Sequence, residues 1–514
     1  MSKTYDIIVI GGGHNGLTAA ITLAKKNKKV LVLEKRPILG GIAAGEEFHP
    51  GYFTTGLLHD TRGVRPHVIK DLNLEKFGLK TKKSGATVSL LSKDGKCLQL
   101  SADVNTACAA IAKFSQKDAD SYKEYRAFMD KISPFVKGLL DELPPDLTNL
   151  GGKQLWELAK KGLSLKKLGK KTMMEFLKVA PMSVADFLNE KFETNFLKAG
   201  IAGPAIYGSY TGPWSSYTTL NLLLWECTAQ ESILGGPQAL ISALEKAAKD
   251  AGVVIRTQSQ VDKITLDANR KVSGVKLVTG EEISGSIVAC SSTPHITFYE
   301  LLMPNHISYS LEHAIKHYRS RGTTAKVNLA VNKLVNFNGV SGVEFARTGN
   351  SFDEMERAFD PVKYRKFSEE PILDIHVPSV ENTSLAPAGH AVISIVVHFA
   401  PHHFDEGWSE KTKEKLRSNV IKTLAHYVPD IASSIVGSEV LSPVDLEERY
   451  SLTNGHIFHG EHAVDQLITR PIPSCARYAT PIEGLYLCGS GSHPGGGITC
   501  MPGYLGAKMI LGNS

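Results

Sequence analysis

Residues 5–16 read Tyr5-Asp6-Ile7-Ile8-Val9-Ile10-Gly11-Gly12-Gly13-His14-Asn15-Gly16. Tyr5 to Ile10 is a short apolar run rich in Ile and Val, as a buried parallel strand should be. The glycine turn follows, and Leu17 to Lys26 then carries alanines and leucines at helical spacing. Asn27 to Lys29 closes that helix, and Val30 to Leu33 forms a second buried strand ending at Glu34. The pattern predicts a β-α-β unit. Glycine-rich turns are common, but here a strand precedes the turn, a helix follows, and an acidic residue ends the next strand. Gly11 permits the tight turn, Gly13 lets the backbone approach a pyrophosphate, and Gly16 lets helix and strand pack closely. Phosphates would then rest on the helix N-terminus, where free N–H groups and the dipole favour anions. Asn15 belongs to the same turn, and His14 is placed either to bond a phosphate or to lie at the surface. Glu34 is placed to accept hydrogen bonds from ribose hydroxyls, and its charge would repel a 2′-phosphate. Lys35 and Arg36, directly behind it, join the expected cofactor contacts.

The next residues discriminate between dinucleotides. Glu34-Lys35-Arg36-Pro37-Ile38-Leu39-Gly40-Gly41 carries a Gly-Gly pair shortly after the ribose acid. Such a pair lets the chain double back along a diphosphate and a flavin, which an NAD domain does not need. The chain holds one complete dinucleotide motif. Near its end, Gly484 to Gly497 reads as a buried strand running into a glycine loop, followed by a helix from Pro502 to Leu511. That element can bring backbone amides against ribitol and flavin, and a helix N-terminus near Thr499 to Gly503 would stabilise negative charge there. FAD is the expected cofactor.

At 514 residues the chain is too long for one small core. Apolar residues at 42% and charged residues at 21% are near globular averages, which argues against extensive disorder. A net charge of +6 without a basic stripe interleaved with aromatics points away from nucleic acid. No apolar run approaches the roughly 18 residues of a membrane span. Met1 to Asp6 runs straight into a strand, leaving no room for a signal or transit peptide. Seven scattered cysteines form no Cys-x-x-Cys, so neither a zinc knuckle nor a dithiol centre is expected, and a reducing, cytoplasmic compartment is the simplest reading. The predicted architecture is discontinuous: residues 1–75, 235–300 and 440–514 form a nucleotide-binding domain, and 76–234 with 301–439 form a substrate domain. Ala325 to Val331 and Ala391 to Phe399 read as long strands of a second sheet, and Val104 to Lys198 as helical and lysine-rich.

With these pieces in place, the sequence resembles the phytoene desaturase-like branch of FAD-dependent oxidoreductases, nearest the group of pyridine nucleotide-disulfide oxidoreductase domain-containing protein 2. GGGHNG at 11–16, EKRPILGG at 34–41, EEFHPGY at 46–52, GGPQALISAL at 235–244, NGHIFHGEHAVDQLITRPIP at 454–473 and GLYLCGSGSHPGGG at 484–497 carry the resemblance. It implies an α/β fold of the amine oxidase/phytoene desaturase kind: a Rossmann-like FAD-binding domain with an inserted mixed-sheet and helical substrate domain. It also implies that Val261 meets adenine through its backbone. Gly41, Ile42 and Ala43 would lie along the flavin, and Gly489, Ser490, Gly497, Ile498 and Thr499 against its ribitol and ring. Ile42 stands where many desaturases carry Arg, and Ser490 where disulfide reductases carry Asp. With one nucleotide motif and no Cys-x-x-Cys, disulfide reduction is not expected.

Flavin carries hydride chemistry, so the protein need only bind, orient and tune it. An FAD-dependent dehydrogenase or desaturase needs an apolar tunnel and at most one base. His456 and His459 are the candidate catalytic residues, with Asp465, Gln466, Arg470 and His493 nearby. The alternative for these residues is to stitch the two domains together. His59-Asp60 could line the cavity or serve structure. His398, His402 and His403 resemble a metal cluster only superficially, and no metal is expected. Lys160 to Lys178 alternates lysines with Leu, Met and Phe, either as a solvated helical face or as a surface for peripheral membrane contact. The leading expectation is an enzyme acting on a small apolar substrate of isoprenoid, polyene or lipid character. An amine-oxidase-like flavoenzyme is the alternative, although neither a flavin-site lysine nor an aromatic cage is legible. A non-catalytic escort of the same fold is opposed by the glycines at both cofactor ends. Electron acceptor and oligomeric state stay open.

Overall fold

Ile7, Ile8, Val9 and Ile10 are all buried, as a central strand covered on both faces requires. They belong to β1 (Thr4–Ile10), which leads into α1 (His14–Ala24) and β2 (Val30–Leu33). The computed structural model describes residues 4–82, 87–146, 148 and 151–512. β1 pairs in parallel with β2 on one side and with Glu282–Cys290 on the other. The sheet runs Val261–Leu266, Val272–Leu277, Glu282–Cys290, β1, β2, Val254–Arg256, and Leu485–Leu487 pairs with the end of Glu282–Cys290. The layer that opens the chain is therefore completed by its middle and its end. The helix Met501–Ile510 packs on α1, so closely that a Cβ on Gly503 would stand 2.0 Å from the Asn15 carbonyl oxygen.

A second seven-stranded sheet runs Ile435–Leu441, Thr324–Val331, Ala391–His398, Leu373–His376, Phe345–Arg347, Val88–Leu91, Cys97–Leu100. It is mixed, because Phe345–Arg347 pairs in parallel with Val88–Leu91 amid antiparallel neighbours. Every residue of Thr324–Val331 and of Ala391–His398 is buried. Ile435–Leu441 pairs antiparallel with Thr324–Val331, so the second sheet keeps the chain past residue 440, where the sequence reading returns it to the first layer. The protein is thus an α/β molecule with a Rossmann-like layer and a mixed-sheet layer.

Helices between residues 104 and 228 build a third body on that second sheet, around Tyr125, Phe187, Leu197 and Leu222. The lysine-rich stretch forms Gly152–Lys167 and Lys170–Val179. No described side chain of Gly152–Lys167 is buried, and Leu155, Trp156, Leu163, Met174 and Leu177 are exposed among the lysines. Among the described residues no helix is long and apolar enough to cross a membrane.

Candidate active site

The three glycines of the first turn are there for different reasons. Gly11 has φ of +97°, and a Cβ on it would stand 2.4 Å from Ser291 Oγ. A Cβ on Gly16 would stand 1.9 Å from the Gly11 carbonyl oxygen. Both are demanded by the protein's own packing. Gly13 has φ −71° and ψ 174°, open to any residue, and the nearest atom to a Cβ there is 3.9 Å away. Nothing in the chain needs a glycine at 13, so the space it leaves belongs to a ligand. Gly13 also caps α1 without offering a side chain, which leaves the helix N-terminus available to an anion.

The second glycine pair docks on the first turn. Gly40 N donates to the Gly12 carbonyl oxygen at 2.9 Å, and Gly40, at φ +114°, turns the chain into the short helix Gly41–Ala43. The Glu34 carboxylate accepts from Gly12 N at 2.7 Å and Arg36 N at 2.9 Å, which fixes it at the end of β2. Arg36 pairs with Glu46 at 2.6 Å and lies over the Tyr450 ring, and Lys35 Nζ donates to Ser451 Oγ at 2.5 Å.

These segments enclose a cleft of about 1040 Å³. Gly11, Gly13, His14, Asn15, Glu34, Lys35, Arg36, Gly41, Ile42, Val261, Ser490 and His459 all line it. Gly16, Ala43, Gly489, Gly497, Ile498 and Thr499 are buried around it without lining it. A Cβ on Gly489 would stand 2.3 Å from the Ser291 carbonyl oxygen, so that glycine serves packing. Ser259, Ser291, Ser292 and Glu300 also line the cleft, and the sequence reading missed them. Ser291-Ser292 follows directly on Glu282–Cys290, and position at the end of an apolar strand-like run is the signal available in the sequence.

The cleft fits FAD on its own atoms. His14 Nε2, Asn15 Oδ1, Arg36 Nη1 and His459 Nδ1 are buried with no partner among the described residues, and buried polar atoms seldom stay unsatisfied. Burial lowers the pKa of His14 to about 4 in the protein alone, against a raising hydrogen bond with the Gly497 backbone.

A second cavity of about 1000 Å³ lies behind the Gly41–Ala43 turn. Leu57 connects the two: its N–H donates to the Ile42 carbonyl oxygen at 2.8 Å, and its own carbonyl accepts from Lys326 Nζ at 2.8 Å. Trp225 lines the cavity and abuts the last glycine loop, since a Cβ on Gly497 would stand 2.9 Å from its ring. Val88, Pro204, Tyr207, Ile233, Phe345 and Ile375 complete the apolar wall. Most charges on the wall are paired: Asp60 with Arg62 at 2.7 Å, Arg347 with Asp374 at 2.6 Å, and Lys82 with both Glu344 at 3.3 Å and Glu381 at 3.8 Å, which leaves one carboxylate in excess. Burial works to raise the pKa of Asp374, but Arg347 and His398 overcome it and hold the group ionised.

His59 lines this cavity, and its Nε2 meets Lys326 Nζ while its ring lies 4.8 Å from that of His376. Burial, then Lys326 and His376, press its pKa well below 6.5. Burial likewise drives Lys326 well below the usual lysine value and takes His376 to about 3. Lys326 sits mid-strand and fully buried, held by the Leu57 carbonyl and His59, with Glu439 as the carboxylate that acts on it from a distance; lysines are seldom buried so fully. Besides this buried lysine, Tyr207, Trp225 and Phe458 have ring centres 5.9–6.5 Å apart, but of these only Tyr207 and Trp225 line the cavity.

The two motif histidines lie elsewhere. His459 lines the dinucleotide cleft, its pKa lowered to about 3 chiefly by burial. His456 lines neither space; its Nδ1 accepts from Phe458 N at 3.2 Å and Gly460 N at 3.4 Å, and burial takes it to about 4. Arg470 is fully buried and donates to the Glu461, Phe458, Gly460 and Ser490 carbonyls, so it ties the NGHIFHGEH segment to the last glycine loop. Asp465 pairs with Arg319 at 2.6 Å. His398 is bound to Asp374 and His402 to Glu447.

A Rossmann-like layer with this cleft, joined to a mixed sheet that walls a cavity beside it, defines an FAD-dependent oxidoreductase. The chain belongs to the flavin-containing amine oxidoreductase family, which residues 16–504 match. It is 30% identical to rat pyridine nucleotide-disulfide oxidoreductase domain-containing protein 2, over 99% of this chain and 94% of the relative. It is 25% identical to the lycopene-forming phytoene desaturase of Pantoea ananas over 98% of both chains. A solved triple mutant of putrescine oxidase shares the fold with a TM-score of 0.57, at 16% identity and 99% coverage of both chains.

Proposed function

We propose that the protein transfers hydride equivalents between FAD and an apolar substrate of the isoprenoid, polyene or lipid class, held in the cavity beside His59. The observation that carries this reading is the cavity itself: a largely apolar wall, most of whose charges are paired within the protein, linked to the Gly41–Ala43 turn through Leu57. Such a space favours a C–H-rich ligand. Similarity to a phytoene desaturase supports the same substrate class.

FAD, when bound, supplies the two-electron acceptor or donor. The chain's own residues hold the substrate and manage the proton. Trp225, Tyr207 and Phe345 present flat faces that align an extended chain. His59 faces the cavity uncharged, so it takes the proton released from the carbon next to the one that loses hydride. Lys326 stands behind it as a positioning residue. The exposed Leu155, Trp156 and Leu163 among lysines support delivery of such a substrate from an anionic membrane surface.

Amine oxidation is the second reading, favoured by the buried Lys326 and the Tyr207–Trp225–Phe458 rings. Anaerobic mixing of the holoenzyme with a panel of polyenes, isoprenoids, lipids and amines separates the two. Bleaching of the flavin absorbance by an apolar polyene or isoprenoid, and not by amines, is the expected result. Bleaching by an amine alone would replace the first reading with the second.

A further inference from the structure

A chamber of about 890 Å³ adjoins the cavity, and the two share Arg62, Val88, Pro204 and Arg347 as a common wall. The seating of Arg347 begins with a proline. Pro204 lies inside the helix Asn195–Ile206 and has no N–H, so the Gly200 carbonyl four residues earlier loses its helical donor. Arg347 Nη1 donates to that carbonyl at 2.8 Å. Gly203 makes the room, because a Cβ there would stand 2.4 Å from Arg347 Nε. The helix is shaped to hold one guanidinium.

The two ion pairs on the shared wall are polarised across it. Arg347 binds Asp374, and Arg62 binds Asp60 through Nε and Nη2, leaving Nη1 outside that pair. Asp60 and Asp374 line the cavity and not the chamber, whereas both arginines line the chamber. The chamber's opposite wall adds Arg126, paired with Glu226 at 2.6 Å. Three guanidinium groups therefore line it against one carboxylate. Tyr125 lines it too: it is 2% exposed, and its hydroxyl has no partner among the described residues. Tyr125 feels Glu226 and Arg126 as its nearest charges, and a buried O–H in a chamber lined by three guanidinium groups, each held in an ion pair, fits an acceptor with several oxygens.

We propose that this chamber binds the anionic head group, a carboxylate or a phosphate monoester, of an elongated substrate whose apolar body occupies the cavity. The inference rests on the apolar-substrate reading above and narrows it to amphipathic anions. Val88 and Pro204 supply the apolar neck between head and body.

Calorimetric titration of the FAD-loaded protein with dodecanoate, dodecyl phosphate, dodecanol and dodecylammonium tests it. The anions are expected to bind about tenfold or more tighter than dodecanol, and dodecylammonium more weakly than the alcohol. The tighter of the two anions identifies the head group. Arg126→Gln is expected to weaken the anions about tenfold and leave dodecanol unchanged. Tyr125→Phe, which removes only an unpartnered hydroxyl, is expected to weaken the anions by about threefold or more while the fold is kept. Equal affinity for dodecanol and the anions overturns the chamber's role and leaves the apolar-substrate reading standing. Tightest binding by dodecylammonium overturns it in favour of an amine. Absence of binding by all four, dodecanol included, overturns both.

Discussion

A His59→Phe holoenzyme is expected to keep its FAD and to reduce it about 10²–10⁴-fold more slowly with a substrate that bleaches the parent protein, the range for removal of a positioned general base. Phe retains a ring against His376 and fills the same wall, so the cavity keeps its shape while the proton acceptor is lost. The pH dependence gives the matching sign. A base must be unprotonated, and the His59 pKa lies well below 6.5, so the parent rate should be flat near neutrality and fall only in acid. Lys326 is one of the groups that lowers that pKa, after burial. Lys326→Met should therefore raise it and move the acid limb toward neutral pH, a readout that a merely structural role for Lys326 would not shift. Stopped-flow reduction across pH 5–9 measures both. An unchanged rate in His59→Phe would remove the residue from the chemistry.

The parts of this site that were legible in the sequence are those built locally. β1, α1 and β2 follow one another, and the turn residues, Glu34 and the second glycine pair lie within about thirty positions. Each has a backbone reason visible in its own neighbourhood, such as the tight approach at Gly16. The substrate cavity is different, because its wall is assembled from segments around residues 59, 207, 225, 345 and 375. His59 was legible as a candidate, but its partner Lys326 lies 267 residues further on and no spacing links them. The clue to Lys326 was a charged residue inside Ala325 to Val331, a run otherwise suited to a fully buried strand. His456 and His459 were singled out because their motif is distinctive. Burial and backbone hydrogen bonds give His456 a structural reason for being there, while His459 lines the cleft at the glycine turn and not the cavity. The chamber lined by Tyr125, Arg126 and Glu226 belongs to the helical insertion, where side chains meet through tertiary packing that periodicity does not encode.

Gly13→Val should yield a folded protein that has lost FAD, which separates the cofactor's demands on the turn from the protein's own. At Gly11 and Gly16 the two demands cannot be told apart, because a Cβ there collides with Ser291 or with the Gly11 carbonyl whether or not a ligand is bound. At Gly13 the backbone lies in an extended conformation that valine adopts readily, and no protein atom stands closer than 3.9 Å to an added Cβ. The valine methyls would instead occupy the space above the N-terminus of α1, where the pyrophosphate would rest. Overpacking of that kind costs on the order of 3 kcal/mol, so FAD affinity should fall about a hundredfold. Far-UV circular dichroism and thermal melting of the apoprotein should match the parent, while flavin titration shows the loss. Gly16→Val, by contrast, should lower the melting temperature of the apoprotein itself. If Gly13→Val purified with a full complement of FAD, the pyrophosphate would have to lie elsewhere than on this turn.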